Sequence, residues 1–153
     1  MRVEEKLEQM GIKLPEAPKP VAAYIPALQV GGLVYTSGQI PMSAGELKYK
    51  GKVGQDLSLE EGYKAAQLCA INALAAAKGV VGDLDRIQRV VKVVVYVNSA
   101  LGFDQQPKVA NGASEFLKEV FGEAGQHVRS AVGVAELPLG SATEVELLLQ
   151  LKG

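Results

Sequence analysis

Between Ile87 and Val97 the chain reads Ile-Gln-Arg-Val-Val-Lys-Val-Val-Val-Tyr-Val, a density of β-branched residues that suits a strand and disfavours a helix. By the alternation of a strand, Val91, Val93, Val95 and Val97 share one face and Val90, Lys92, Val94 and Tyr96 the other. Near-continuous valine implies burial on both faces, so this strand is expected inside a sheet. The rest of the chain must then supply its neighbours and its cover. Ala27 to Val30 and Leu33 to Ser37 flank Gly31-Gly32, a two-residue turn that closes a β-hairpin. Ser58-Leu59-Glu60-Glu61 is a capping box, and it opens a helix predicted to run to about Lys78, with Gly79 as the positive-φ residue after its end. Leu59, Tyr63, Ala66, Ala70, Ala73, Leu74 and Ala77 form one stripe whose alanines bring that helix close to a sheet. A second helix, roughly Gln106 to Val120, stops at Gly122. Val128 to Ala135 and Thr143 to Leu151 read as strands joined across Leu137-Pro138-Leu139-Gly140. Strands, helix, strand, helix, strands predicts an α+β fold, one mixed β-sheet with two helices packed on one face.

At 153 residues the chain has the size of one domain, and residues 1–153 are read as a single unit. Residues 2–10 form a short amphipathic pattern broken by Gly11, and Pro15, Pro18 and Pro20 mark an extended arm, so 1–20 is an N-terminal helix and arm. Met42 to Gly54 reads as a loop with some strand pairing. The first ten residues hold Glu4, Glu5 and Glu8 and no apolar stretch of the secretory kind. No stretch reaches the ~18 apolar residues that would span a bilayer. A cytoplasmic protein with no membrane partner is expected.

Composition removes several chemistries. The net charge of −1 lacks the basic bias of most nucleic-acid binders. Lys48, Lys50 and Lys52 make the densest basic stretch, read as a solvated hairpin or loop, with a polyanion contact as the alternative. His127 is the single histidine and Cys69 the single cysteine, so neither a two-histidine site nor a thiolate zinc site can be built. Cys69 lies in an alanine-rich run and is read as a core residue. Gly45 to Lys52 has the wrong glycine spacing for a phosphate loop, and Val53 stands where Ser or Thr would meet magnesium. No G-x-G-x-x-G occurs. The expectation is a protein that handles a small organic anion without a metal and without a bound cofactor.

One strand remains with chemistry on it. From His127 onward, Arg129, Ala131, Gly133 and Ala135 share a face and Val128, Ser130, Val132 and Val134 share the other. The valine face is expected under the helices. The opposite face would be a trough of small residues, filled by another chain or by a ligand, with Arg129 at its rim offering a planar fork to a carboxylate. On the last strand Glu144 and Glu146 share a face, while Val145, Leu147 and Leu149 take the other. Arg129 either meets a ligand or pairs with one of these glutamates.

Val34-Tyr35-Thr36-Ser37-Gly38-Gln39-Ile40-Pro41, then Arg129-Ser130-Ala131-Val132-Gly133-Val134, then Leu137-Pro138 with Glu144-x-Glu146, resembles in this order the reactive-intermediate deaminase family (RidA or YjgF-like, formerly L-PSP endoribonucleases) over roughly residues 21–151. The resemblance implies a chorismate-mutase-like fold and a homotrimer with clefts between subunits. It also implies hydrolysis of 2-imino acids, released by pyridoxal-phosphate enzymes, to 2-oxo acids and ammonia. Carried over by position, Arg129 binds the substrate carboxylate and Glu144 helps to hold the attacking water. Ser37 and Gly38 line the cleft, Tyr24 lies near its mouth, and Asn111 comes from the second helix. Ala131 stands where the family often has cysteine, and its backbone carbonyl can keep the water-binding role. The N-terminal extension, the 42–54 segment and Gln126-His127-Val128 in place of the usual proline mark a divergent subgroup.

The chemistry asks little of a protein. An iminium carbon is already electrophilic, so orientation, a placed water and one carboxylate base suffice. Two other readings stay open: a non-catalytic carboxylate binder that acts on a partner enzyme, and the endoribonuclease of the family's older name.

Overall fold

The computed structural model describes residues 3–20 and 23–153. In chain order the elements are α1 (Val3–Gln9), β1 (Ala27–Val30), β2 (Leu33–Thr36), β3 (Met42–Ser43), β4 (Glu46–Leu47), α2 (Leu59–Val81), β5 (Ile87–Asn98), α3 (Gln106–Phe121), β6 (Val128–Val134) and β7 (Thr143–Leu151). Five strands form a sheet in the order β1-β2-β7-β5-β6, antiparallel throughout except for the parallel pair β5–β6. A parallel neighbour needs a crossover, and α3 supplies it. With α2 beside it, α3 covers one face, so the expected α+β arrangement of one mixed sheet under two helices is the observed one.

The core lies between that face and the helices. Val93, Val95 and Val97 of β5 and Val145, Leu147 and Leu149 of β7 pack under Ala66, Ala70, Ala73 and Leu74 of α2 and Val109, Ala113 and Leu117 of α3. Small residues allow close approach, and a β-carbon on Gly112 of α3 would lie 1.9 Å from the Tyr63 carbonyl of α2. Cys69 is fully buried against Thr143, and burial pushes its thiol pKa up, as a core role predicts.

The capping box forms, with Glu61 N–H donating to Ser58 Oγ at 3.1 Å and Ser58 N–H to Glu61 Oε1 at 2.9 Å. The far end of α2 differs from expectation. The helix passes through Gly79 to Val81, and Gly82 caps it with φ 81° and its N–H on Lys78 O at 2.8 Å. Gly79 answers a different need: a β-carbon there would lie 2.6 Å from Ala17 Cβ, where the N-terminal arm crosses the helix.

Alternation along β5 also departs from a plain strand. Its register against β7 slips between Ile87 and Arg89 and again between Val90 and Lys92. Each bulge reverses which face a side chain meets. Val90 is therefore buried with Val93, while Val91 is half-buried with Val94 and Tyr96. Cover on both faces is not present within one chain.

On β6 the expected faces are inverted. Arg129, Ala131 and Gly133 register with Val93, Val95 and Val97 and so face the helices. A β-carbon on Gly133 would lie 2.8 Å from Gln106 Nε2 and 2.9 Å from Ser99 Oγ. The small residues make room for Gln106 at the start of α3, and Gly133 itself stays exposed. Val128 and Val132 point to the uncovered face, 65% and 44% exposed. Across that face one row runs Leu28, Tyr35, Leu148, Lys92, Val128 from edge to edge.

Candidate functional site

The two charged residues predicted from the sequence anchor two groups, and their side chains leave opposite faces of the sheet. Arg129 and Asn111 belong to the first. Arg129 rises from β6 toward α3, where its Nη1 donates to Asn111 Oδ1 at 2.9 Å and to Ser114 Oγ at 3.1 Å. Asn111 and Ser114 are three residues apart and so adjacent on one helix face. Among the described residues no carboxylate pairs with this guanidinium, and Nε and Nη2 make no hydrogen bond. The cation is thus clamped through one nitrogen by neutral acceptors while its other edge stays free.

Ala131, two residues on, packs against the core with its side chain. Its backbone matters more. Val134 O accepts from Ser99 N–H of the neighbouring strand segment at 3.3 Å. In a parallel ladder the groups that meet the partner alternate along the chain. Arg129, Ala131 and Gly133 therefore direct their N–H and C=O away from β5, off the free edge of the sheet.

Glu144 heads the second group. It registers with Tyr96, and it lies on the uncovered face with Glu146, which registers with Val94. Gly38, between β2 and an isolated bridge from Gln39 to Val145, gives the carboxylate its room: a β-carbon there would lie 2.0 Å from Glu144 Oε2. Burial raises the Glu144 pKa first, and the charge of Glu146 raises it further. Tyr96 Oη donates to Glu146 Oε1 at 2.5 Å, and this bond pushes the phenol up to about 12. Two neighbouring carboxyls thus have unlike surroundings, one anchored by a phenol and one whose pKa is raised by burial and by its neighbour's charge.

Ser37 does not present a free hydroxyl, since Oγ donates to Ile25 O at 2.7 Å and its N–H to Pro26 O at 2.7 Å. It ties the end of β2 to the segment that carries Tyr24. Tyr24 is exposed and lines, with Pro26, Gly38 and Met42, a cavity of about 300 Å³ under the N-terminal arm. Arg129 and Glu144 do not meet. Their positions on β5, Val93 and Tyr96, are three residues apart, roughly 10 Å along the strand, and the side chains leave opposite faces. The alternative pairing of Arg129 with Glu144 or Glu146 is therefore not what the fold makes.

Three residues of these surroundings escaped the sequence reading. Ser114 and His127 stand around Arg129, and Tyr96 holds Glu146. A polar aromatic inside a valine strand and a single histidine two residues before Arg129 were visible signals. Ser114, one turn after Asn111, was not, because nothing in sequence says that this turn of α3 lies over β6. Of the three lysines 48, 50 and 52, Lys48 pairs with Glu46 at 2.9 Å. Lys52 donates to Asn98 Oδ1 at 2.9 Å and pairs with Glu136 at 3.2 Å. Among the described residues no cluster of three or more metal-ligating side chains occurs, and no helix is long and apolar enough to cross a membrane.

A five-stranded mixed sheet under two long helices is the architecture of a chorismate-mutase-like α+β domain, and its edge strand carries an arginine with no carboxylate partner among the described residues. Residues 4–151 match the family described as "YjgF/chorismate mutase-like, putative endoribonuclease", and the chain belongs to it. The matched span takes in α1 and the arm. Protein TCP17 of Trypanosoma cruzi is 44% identical over 151 residues, 98% of this chain and 94% of that one. The 2-iminobutanoate/2-iminopropanoate deaminase of Dermatophagoides farinae is 30% identical over 141 residues, 92% of this chain and 95% of its own length. Protein Atu1372 of Agrobacterium tumefaciens, of unknown function, is 40% identical with a TM-score of 0.92, covering 98% of this chain and 92% of that one.

Proposed function

We propose that the protein hydrolyses 2-imino acids to 2-oxo acids and ammonia in a site assembled from two copies of the chain. The observation that carries this reading is the bonding of Arg129, whose Nη1 is clamped while its other edge meets no counter-ion among the described residues. A carboxylate is the ligand that such a planar fork fits best. A relative named as a 2-iminobutanoate/2-iminopropanoate deaminase supplies the reaction class.

Bound through its carboxylate, the protonated imine presents C2 to water. The water oxygen forms a bond to C2, the C=N π electrons move to nitrogen, and the Glu144 carboxylate takes the proton of the water. The same proton then passes to the amine nitrogen of the carbinolamine. Glu144, again ionised, takes the hydroxyl proton as the O–H electrons form the carbonyl, the C–N bond breaks and ammonia leaves. A carboxyl with a raised pKa is suited to both transfers. The Ala131 carbonyl on the free edge would hold the attacking water.

Because Arg129 and Glu144 leave opposite faces, the reading requires a second copy to bring one to the other, and the assembly proposed is a homotrimer. Exposed Leu28, Val30, Tyr35, Val128 and Val132 on the uncovered face, and the free edge of β6, support such contacts.

The test generates 2-iminobutanoate in situ and follows ammonia with and without the protein. Release is expected to accelerate, and Arg129→Lys is expected to lose most binding of 2-oxobutanoate, since an ammonium cannot reproduce the fork. No acceleration for any imine, with 2-oxobutanoate still bound, would leave a carboxylate-binding protein in place of an enzyme.

A further inference from the structure

Resting on the reading of Arg129 as the carboxylate ligand, we infer that His127 is a positioning residue that sets the orientation of Arg129 through the hydroxyl of Ser114.

The direction of every bond in this chain can be assigned. His127 Nδ1 lies 2.6 Å from Gly125 O. A carbonyl only accepts, so Nδ1 carries the proton. In the neutral ring Nε2 then holds a lone pair, and Ser114 Oγ, 2.8 Å away, must donate to it. With its proton committed there, Ser114 Oγ turns its lone pairs to Arg129 Nη1 at 3.1 Å. Asn111 Oδ1 accepts from the same nitrogen at 2.9 Å. Two acceptors one helical turn apart fix the guanidinium plane, and the free edge is aimed by geometry that begins at Gly125.

The anchor is rigid. A β-carbon on Gly125 would lie 2.4 Å from Leu117 O and 2.8 Å from Lys118 Cα, so the turn that carries the accepting carbonyl lies flat on α3. The neutral imidazole that the chain requires is also the favoured one. Burial lowers the His127 pKa first, its bond to Gly125 O raises it, and the charge of Arg129 lowers it again. Gln126 O, the next carbonyl, accepts from Arg89 Nη2 at 2.6 Å, so the segment is tied to β5 as well. Arg129, Lys118 and His127 border one surface cavity.

A histidine kept only for packing would tolerate an apolar ring, whereas the bond chain needs an acceptor at the position of Nε2. Gln offers its amide oxygen there and Phe does not. Binding of 2-oxobutanoate, measured by calorimetry, is expected to weaken about tenfold in His127→Phe, the scale of one lost hydrogen bond to a charged group. His127→Gln is expected to restore most of it, and Ser114→Ala to match the Phe variant. Under imine turnover the loss should fall on KM and leave kcat close to the parental value. As His127 is the single histidine, its imidazole 15N signals are unambiguous and should report the Nδ1–H tautomer. An Nε2–H tautomer, unchanged binding in His127→Phe and Ser114→Ala, or equal weakness of the Phe and Gln variants would each overturn the inference. A parent that binds no 2-oxobutanoate sinks this inference together with the carboxylate reading. A parent that binds it with the stated dependence on residue 127, yet deaminates nothing, sinks only the reaction.

Discussion

Burial raises the Glu144 pKa and Glu146 raises it further, so the folded protein holds this proton more tightly than the unfolded chain, where the ordinary value is 4.5. The sign follows from linkage: stability is lost as pH rises from that ordinary value through the raised one, and above the raised value the ionised carboxylate opposes folding. Glu144→Gln should therefore melt at a higher temperature than the parent near neutral pH, with the gain vanishing below the ordinary carboxylate value. If Glu144 acts on water, the same variant should deaminate about 10²-fold or more slowly while binding 2-oxo acids normally. A variant that is slower but no more stable would mean that the assembled site relieves the carboxylate. Arg129 and Glu144 could be picked out from the sequence because long charged side chains stand out among small and apolar neighbours. Ser114 and His127 could not be assigned roles, since their significance lies in one turn of α3 resting over β6.

At the level of elements the sequence was read well wherever a local rule decided the outcome. The Gly31-Gly32 hairpin, the capping box at Ser58 and the bounds of β7 each depend on a few adjacent residues. Reading failed where a partner decided. Two bulges in β5 come from its register with β7, and the inverted faces of β6 come from the closeness of α3. Gly79 shows the difference in one residue. Read locally it ends a helix; in the fold it admits the arm. Intrinsic propensity predicts that Gly79→Ala gains about 1 kcal/mol of helix stability. The 2.6 Å approach of Ala17 predicts the reverse, because the new methyl must push the arm off α2. Packing should win, and Gly79→Ala should melt at a lower temperature and be cut faster by proteases within residues 12–20. A higher melting temperature with an intact arm would show that the arm yields freely.

The single chain leaves two things unfinished, and both point to the same remedy. One face of the sheet is covered by helices, while the other presents Leu28, Tyr35 and Val128 in a row beside the half-buried Glu144, Glu146 and Tyr96. The clamped Arg129 and the carboxyl of Glu144 are likewise separated by the sheet itself. A second copy brought against the open face and the β6 edge would cover apolar surface and join the two halves at once. This makes a prediction that a site within one chain does not share. Arg129→Ala and Glu144→Gln should each be nearly inactive alone. When the two are unfolded together and refolded at equal amounts, about a quarter of the clefts in a randomly mixed cyclic assembly should combine an intact Arg129 from one copy with an intact Glu144 from another. Ammonia release should recover to about that fraction of the parental rate, and dilution that dissociates the assembly should abolish it. If mixed assemblies form, as sedimentation with one tagged variant would reveal, and no activity returns, the two residues do not serve one cleft between copies.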